Sequence, residues 1–387
     1  MRGDAGRRQH PQARCLRSLA GGVVVAVLLI DSHHQFAAER VLPPAWLRGF
    51  DLSVYEPGHP DRIISGSATL ADASGLIVRS VTKVTRELLS TAPNLRAVAT
   101  CSSGFDHLDI AELAERAIPW FHGRGGNAIA VAEWVLWALS RQWSQNVAQP
   151  KSFEGRRVIV VGCGAVGSCV IAALRYCGAE VVCVDPPRAR VDADFEAITL
   201  DDALSSPCDA LTLHVPRIFT GPDATVGMIG PSQLQRLEGS ALINAARGGV
   251  IDEHTAAQAR LNGHLSGLWL DTFEHEPHVD SNTLRACDGA TPHIAGHSIE
   301  GKLKVALGPV NSLRELFGRR PIDRWVAPKL SSLDPARALD RLSAALRTGA
   351  AFLPLRSQHT RHEGHWIEPE VFSQPLAALG CRPLDVQ

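Results

Sequence analysis

VIVVGCGAVGSCV, residues 158–170, holds a strand, a glycine turn and the start of a helix. The apolar, β-branched run RRVIVVG (156–162) predicts a buried strand, and GAVGSCVIAALRYCG (164–178) predicts a helix ended by Gly178. Between them stands Gly162-x-Gly164-x-x-Gly167, with Ala165 and Val166 inside it. The first glycine permits a tight turn. The second lets backbone approach a pyrophosphate, and the third lets the helix pack closely on the strand. The helix N-terminus then offers free N–H groups to the anion. Alone, such a motif is a glycine turn found in many α/β folds. Its surroundings narrow it, because Asp185 ends the next strand, AEVVCVD (179–185), and stands 18 residues beyond Gly167. A carboxylate there accepts hydrogen bonds from ribose hydroxyls and repels a 2′-phosphate, which favours NAD over NADP. Arg188 in DPPR is the cation that opposes this preference, and the prolines are expected to aim it at the adenine face.

Working outward, the same alternation repeats. ALTLHVP (210–216), SALINAAR (240–247) and GLWLDTF (267–273) are further strands, with crossover-length segments between them. An earlier series runs through VVVAVLLID (23–31), GLIVRS (75–80) and LRAVATCS (95–102). NAIAVAEWVLWALSRQW (127–143) reads as a long helix, apolar on most sides and so buried. The expected fold is α/β: two Rossmann-like, doubly wound parallel-sheet domains, one inserted in the other, plus a small C-terminal α+β dimerisation-type domain. Residues 23–126 and 297–318 form the expected substrate domain of flavodoxin-like type, 127–296 the nucleotide-binding domain, and 330–387 the tail domain, with a helix near 334–347. Residues 1–22, with five arginines, are read as an extension outside the fold.

Bulk composition excludes more than it assigns. Lys+Arg is 39 against Asp+Glu 40, so there is no general attraction to nucleic acid or to an anionic membrane surface. No apolar run reaches the roughly 20 residues that span a bilayer. The nine cysteines follow no paired spacing, which suits buried thiols in a reducing, cytoplasmic setting.

Three later segments end in groups of complementary chemistry. NAARGG supplies Arg247, LDTFEHEP supplies Asp271 and Glu276, and TPHIAG supplies His293. Oxidation of a 2-hydroxy acid needs a guanidinium to clamp the carboxylate and an imidazole to take the hydroxyl proton. It also needs a carboxylate to orient that imidazole. Singly, each has an ordinary alternative: a surface arginine after a turn, an acidic loop, a structural histidine. TPHIAGHSIEGK (291–302) invites two other readings. A P-loop requires Ser or Thr at 303, where this chain has Leu303. A zinc pair at His293 and His297 requires a helix across them, which Pro292 and Gly296 disfavour, so no metal is expected.

LIVRSVTKV (76–84), GGNAIAVAEWV (125–135), VDPPR (184–188) and TPHIAGHSIEGK together resemble the D-isomer-specific 2-hydroxyacid dehydrogenases, over residues 23–315. Within that family the resemblance is to members acting on 4-phospho-D-erythronate in vitamin B6 biosynthesis. The alternatives are a member acting on another 2-hydroxy acid, such as phosphoglycerate, or a non-catalytic NAD-binding module. The resemblance implies Arg247 as carboxylate binder, Glu276 as partner of the histidine, and His293 as proton acceptor or donor. It implies NAD contacts at Asp185, Val215, Asp271 and Gly296, substrate contacts at Ser80, Ser102 and His297, and a homodimer. Departures from the family pattern are His297 for a tyrosine, Ser102 for a threonine and Val215 for a threonine. RSVTK (79–83) adds Arg79, Ser80, Thr82 and Lys83 as an anion nest or a solvated basic turn.

Overall fold

A computed structural model describes residues 26–32, 42, 44–144, 153–323, 343 and 347. The expected extension 1–22, and the tail domain 330–387 apart from two positions, lie outside the described residues. The chain divides into two compact units. One comprises Met1–Gly126, Lys302–Ala327 and Asp385–Gln387, and the other Asn127–Gly301 and Pro328–Leu384.

The first unit holds β1 (Val27–Asp31), β2 (Asp51–Glu56), β3 (His59–Ser65), β4 (Gly75–Val78), β5 (Ala97–Thr100) and β6 (Trp120–His122). Their order in the sheet is β3-β2-β1-β4-β5-β6. All pairs are parallel except the hairpin β2–β3, which turns at Gly58 with φ +82°. β4 and β5 are buried along their whole length, as expected of central parallel strands covered on both faces. β3 is mostly exposed at the edge, and its charged residues hid it from a search for apolar runs.

The second unit holds β7 (Arg157–Val161), β8 (Glu180–Val184), β9 (Ala210–Leu213), β10 (Ala241–Asn244), β11 (Gly267–Leu270) and β12 (Gly289–Ala290). The order is β12-β11-β10-β9-β7-β8, parallel throughout. The order reverses beside β7, which makes β7/β9 the topological switch point. Strand ends at 80, 102, 216, 247 and 273 prove two to three residues too generous. The chain leaves the ladder where the polar, turn-forming residues begin.

The helix Ala128–Ser144 is buried on most sides, with Trp134 fully buried and Trp137 set edge-on to Trp269 at 5.4 Å. It shares one core with the helix Ala165–Tyr176 and with Val158, Val160 and Ile243 of the sheet. Ser343 and Arg347 are helical and cap the edge strand. Ala290 N–H donates to Ser343 Oγ at 2.9 Å, and Arg347 Nη1 donates to the Asp288 carbonyl at 3.0 Å. Among the described residues no helix is long and apolar enough to cross a membrane.

Candidate active site

In a sheet whose strands all run one way, their carboxyl ends share one edge. Across the second unit that edge carries, in sheet order from β8 to β12, Asp185, the Gly162–Gly167 turn, Val215, Arg247, Asp271 with Glu276, and His293. The sequence separation from Gly162 to His293 is thus folded into six neighbouring strands.

The three fingerprint glycines have different reasons to be glycine. Gly162 has φ +85°, and a side chain on it would strike the His214 carbonyl carbon at 2.7 Å and Val215 Cγ1 at 2.8 Å. A Cβ on Gly167 would fall 1.9 Å from the Gly162 carbonyl oxygen, so helix and strand meet there with no room to spare. Gly164 faces open space and caps the helix Ala165–Tyr176 without a side-chain bond. Space above free helix N–H groups is what a pyrophosphate requires, so the residues present fit a dinucleotide. Val215, touching Gly162, borders the same turn. Asp185 is half-buried. Its Oδ2 accepts from Cys163 N–H at 2.7 Å and its Oδ1 from Arg188 N–H at 2.9 Å. Arg188, expected at the adenine face, is engaged by neighbouring groups. It donates to the Cys163 carbonyl at 2.7 Å, pairs with Asp192, and stacks 3.7 Å over the Phe195 ring.

His293 and Glu276 meet. The ring Nδ1–H donates to Glu276 Oε2 at 2.8 Å, while Glu276 Oε1 accepts from Phe273 N–H at 2.9 Å. The carboxylate is fixed by backbone on one side and fixes the ring tautomer on the other, leaving Nε2 as the acceptor nitrogen. His293 itself lies at φ +54°, the left-handed region, which costs a residue with a Cβ about 1 kcal/mol. It is held there by N–H donation to the Asp271 and Thr291 carbonyls.

Asp271 is the brace of this loop. Buried, it accepts from Thr291 Oγ1 (2.6 Å), Ile294 N–H (2.7 Å) and Ala295 N–H (2.9 Å). Trp134 Nε1 donates in turn to Thr291 Oγ1 at 2.9 Å, tying the loop to the long helix. Burial pushes the Asp271 carboxyl up, against the pull of His293 and these hydrogen bonds. Gly296 also serves packing, since a Cβ there would lie 2.3 Å from Asn127 Nδ2. His297 follows in the turn, its N–H donating to the Ile294 carbonyl at 2.8 Å, half-buried and within the second unit.

Arg247 leaves β10 through a turn pinned by Asn244, whose Nδ2 donates to the Arg247 carbonyl and whose Oδ1 accepts from Ala246 N–H. Its Nη1 donates to the Ala246 carbonyl at 2.8 Å. Gly248 lets this turn lie on the Glu276 loop, for a Cβ there would sit 2.0 Å from the Phe273 carbonyl oxygen. Glu253 closes the junction by accepting from Glu274 N–H at 2.8 Å and from Gly249 N–H. Sequence reasoning missed Glu253; its only trace there was an acidic residue after Asp252, which caps the next helix.

In the first unit, Ser80 is exposed in the turn after β4. Ser102 donates to the Gly104 carbonyl and bonds Thr100 Oγ1, which in turn meets His107 Nε2 at 2.8 Å. The anion nest is half dismantled. Arg79 pairs with buried Asp31 at 3.4 Å, and Thr82 is buried beside Tyr55, leaving Ser80 and Lys83 exposed.

Residues 129–295 match the family model described as "D-isomer specific 2-hydroxyacid dehydrogenase, NAD binding domain". Curated relatives named erythronate-4-phosphate dehydrogenase include one from Azotobacter vinelandii, 40% identical over 73% of this chain and 76% of its own length. Another, from Porphyromonas gingivalis, is 34% identical over 75% and 79%. That of Salinibacter ruber is 39% identical over 62% of this chain, which spans 61% of that relative. Among solved structures, the D-lactate dehydrogenase of Aquifex aeolicus with NAD and lactic acid shares the fold. Its TM-score is 0.58 at 24% identity, covering 74% of this chain and 94% of that one.

Proposed function

The chain belongs to the D-isomer-specific 2-hydroxyacid dehydrogenase family, and from that premise we propose that it oxidises 4-phospho-D-erythronate with NAD⁺ to 2-oxo-3-hydroxy-4-phosphobutanoate, a step toward pyridoxal 5′-phosphate. The observation that carries the chemistry is the 2.8 Å pair of His293 and Glu276 on the strand edge that also bears Arg247. Arg247 clamps the substrate carboxylate through its two-pronged guanidinium. His293 Nε2 accepts the proton of the C2 hydroxyl, and Glu276 stabilises the imidazolium that forms. The Gly162–Gly167 turn, Asp185 and Val215 would hold NAD, which would supply the hydride acceptor. Asp271 keeps the His293 loop in register. Within the first unit, taken by itself, exposed Ser80 and Lys83 offer a hydroxyl and a cation of the kind that bind a phosphate. The names of the relatives support the substrate; the chain is proposed to act as a cytoplasmic homodimer.

The test is a panel of 2-hydroxy acids with NAD⁺, compared by kcat/KM. 4-Phosphoerythronate should exceed 3-phosphoglycerate and D-lactate, both of which lack its C3 hydroxyl, by at least about 100-fold, a discrimination within reach of a site that hydrogen-bonds that hydroxyl. His297, where the family carries tyrosine, is the feature that favours a different acid, and a higher kcat/KM for another member of the panel would replace the proposed substrate.

A further inference from the structure

Two thiols that the hydride-transfer scheme does not use meet beneath the glycine turn. Cys163 stands between Gly162 and Gly164, and Cys183 stands on β8, the edge strand next to β7. Both pack into the core under the helix Ala165–Tyr176: Cys163 Sγ lies 3.7 Å from the Val160 carbonyl, and Val160 is the register partner of Cys183 across β7 and β8. Their access differs. Cys163 is fully buried, whereas Cys183 is half-buried and lines a cavity of about 450 Å³ with Ser168, Arg175, Arg188 and Phe195. Arg175 Nη2 lies 4.0 Å from Cys183 Sγ. The neighbouring Cys163 thiol, with Arg175 and Arg188 adding, draws the Cys183 thiol down to about 7 despite its partial burial. Burial pushes Cys101, Cys177, Cys208 and Cys287 the other way. A reachable thiol beside guanidinium groups that favour its ionised form, with a second thiol behind it, is the arrangement of an attacking and a resolving cysteine.

We propose that Cys163 and Cys183 form an oxidisable dithiol, which hydroperoxides convert to a disulfide that distorts the dinucleotide turn. The Cys183 thiolate attacks one peroxide oxygen and the O–O bond breaks, giving Cys183 sulfenic acid and hydroxide. The Cys163 sulfur then attacks the Cys183 sulfur. An S–S bond forms, the S–O bond breaks, and the departing hydroxide takes up the Cys163 proton. Overall two thiols and one hydrogen peroxide give one disulfide and two waters; the sulfurs lose two electrons and the peroxide gains them.

The consequence for the turn follows from what Cys163 already holds. Its N–H donates to Asp185, its carbonyl accepts from Ser168 Oγ and Arg188, and its Sγ points to the Val160 carbonyl at 3.7 Å. A disulfide requires the two Cβ atoms about 3.8 Å apart with a fixed dihedral. Turning Cys163 to meet that requirement moves the peptide between the first two glycines. This second half rests on the reading of Gly162–Gly167 as the NAD turn.

The test exposes the reduced full chain to a few equivalents of hydrogen peroxide, with peptide mapping and NAD titration before and after. The expected result is a Cys163–Cys183 cross-link, at least tenfold weaker NAD binding, and reversal of both by dithiothreitol. Cys163→Ser should trap Cys183 sulfenic acid as a dimedone adduct, and Cys183→Ser should form neither cross-link nor adduct. No cross-link, or Cys183 oxidised no faster than Cys177, overturns the dithiol. A cross-linked chain that binds NAD as tightly as the reduced one overturns the coupling. Failure of the reduced chain to bind NAD overturns the dinucleotide reading and the coupling with it, while the peptide map judges the dithiol on its own.

Discussion

Gly164 and Gly167 lie in the same turn, yet a methyl group added to each meets different surroundings. At Gly167 it collides with the Gly162 carbonyl oxygen; at Gly164 it meets no protein atom within 4 Å. Gly167→Ala should therefore cost about 3 kcal/mol or more of stability through overpacking. Gly164→Ala should change stability by less than about 1 kcal/mol, because φ −71° suits alanine. It should nonetheless weaken NAD binding at least tenfold. Urea unfolding and NAD titration of both variants check this; equal destabilisation by the two would show that the space over Gly164 is not kept for a ligand. The spacing of the motif was plain in the sequence, but not this division of labour, which depends on what each Cα faces. The same holds for Asp271. Its position after a strand was legible, while its three bonds into residues 291–295 depend on how β11 and β12 lie side by side.

At the scale of elements, each candidate group of the second unit is delivered by the loop after a strand, and the loops are clipped to one another. The N-terminus of the helix Glu253–Leu261 is one such clip. Burial, with the charges of Glu274 and Glu276 adding, pushes the Glu253 carboxyl up to about 7 against its backbone hydrogen bonds. In the unfolded chain it titrates near ~4.3. Between those two values the folded chain keeps a proton that the unfolded chain has released, so its contribution to stability falls as pH rises through that window and is level above it. Glu253→Gln removes the titration. Relative to the parent, the variant should gain about 2–3 kcal/mol on going from about pH 4 to about pH 8. Thermal unfolding at the two pH values reads the difference; a difference that does not change with pH would contradict the buried, protonated carboxyl. Strands with long apolar runs were legible. β2, β3, β6 and β12 were not, since a strand that mixes polar with apolar residues, an exposed edge strand, a three-residue strand and a two-residue strand carry no long apolar run.

Over the whole molecule, two parallel sheets could be read from alternating apolar runs and helical patterns, because buried parallel strands must be apolar on both faces. Strand order could not, for it is set by crossovers that leave no local mark. The pairing of residues also stayed hidden. His293 and Glu276 are 17 residues apart and meet only because their loops leave neighbouring strands. That pair is the centre of the account, and the most direct measurement is NADH formation from 4-phosphoerythronate by the parent and by His293→Ala, with NAD affinity measured alongside. The expected result is unchanged NAD affinity and turnover lowered by about 10²–10⁴-fold. A variant that binds NAD normally and keeps turnover within tenfold of the parent would contradict it.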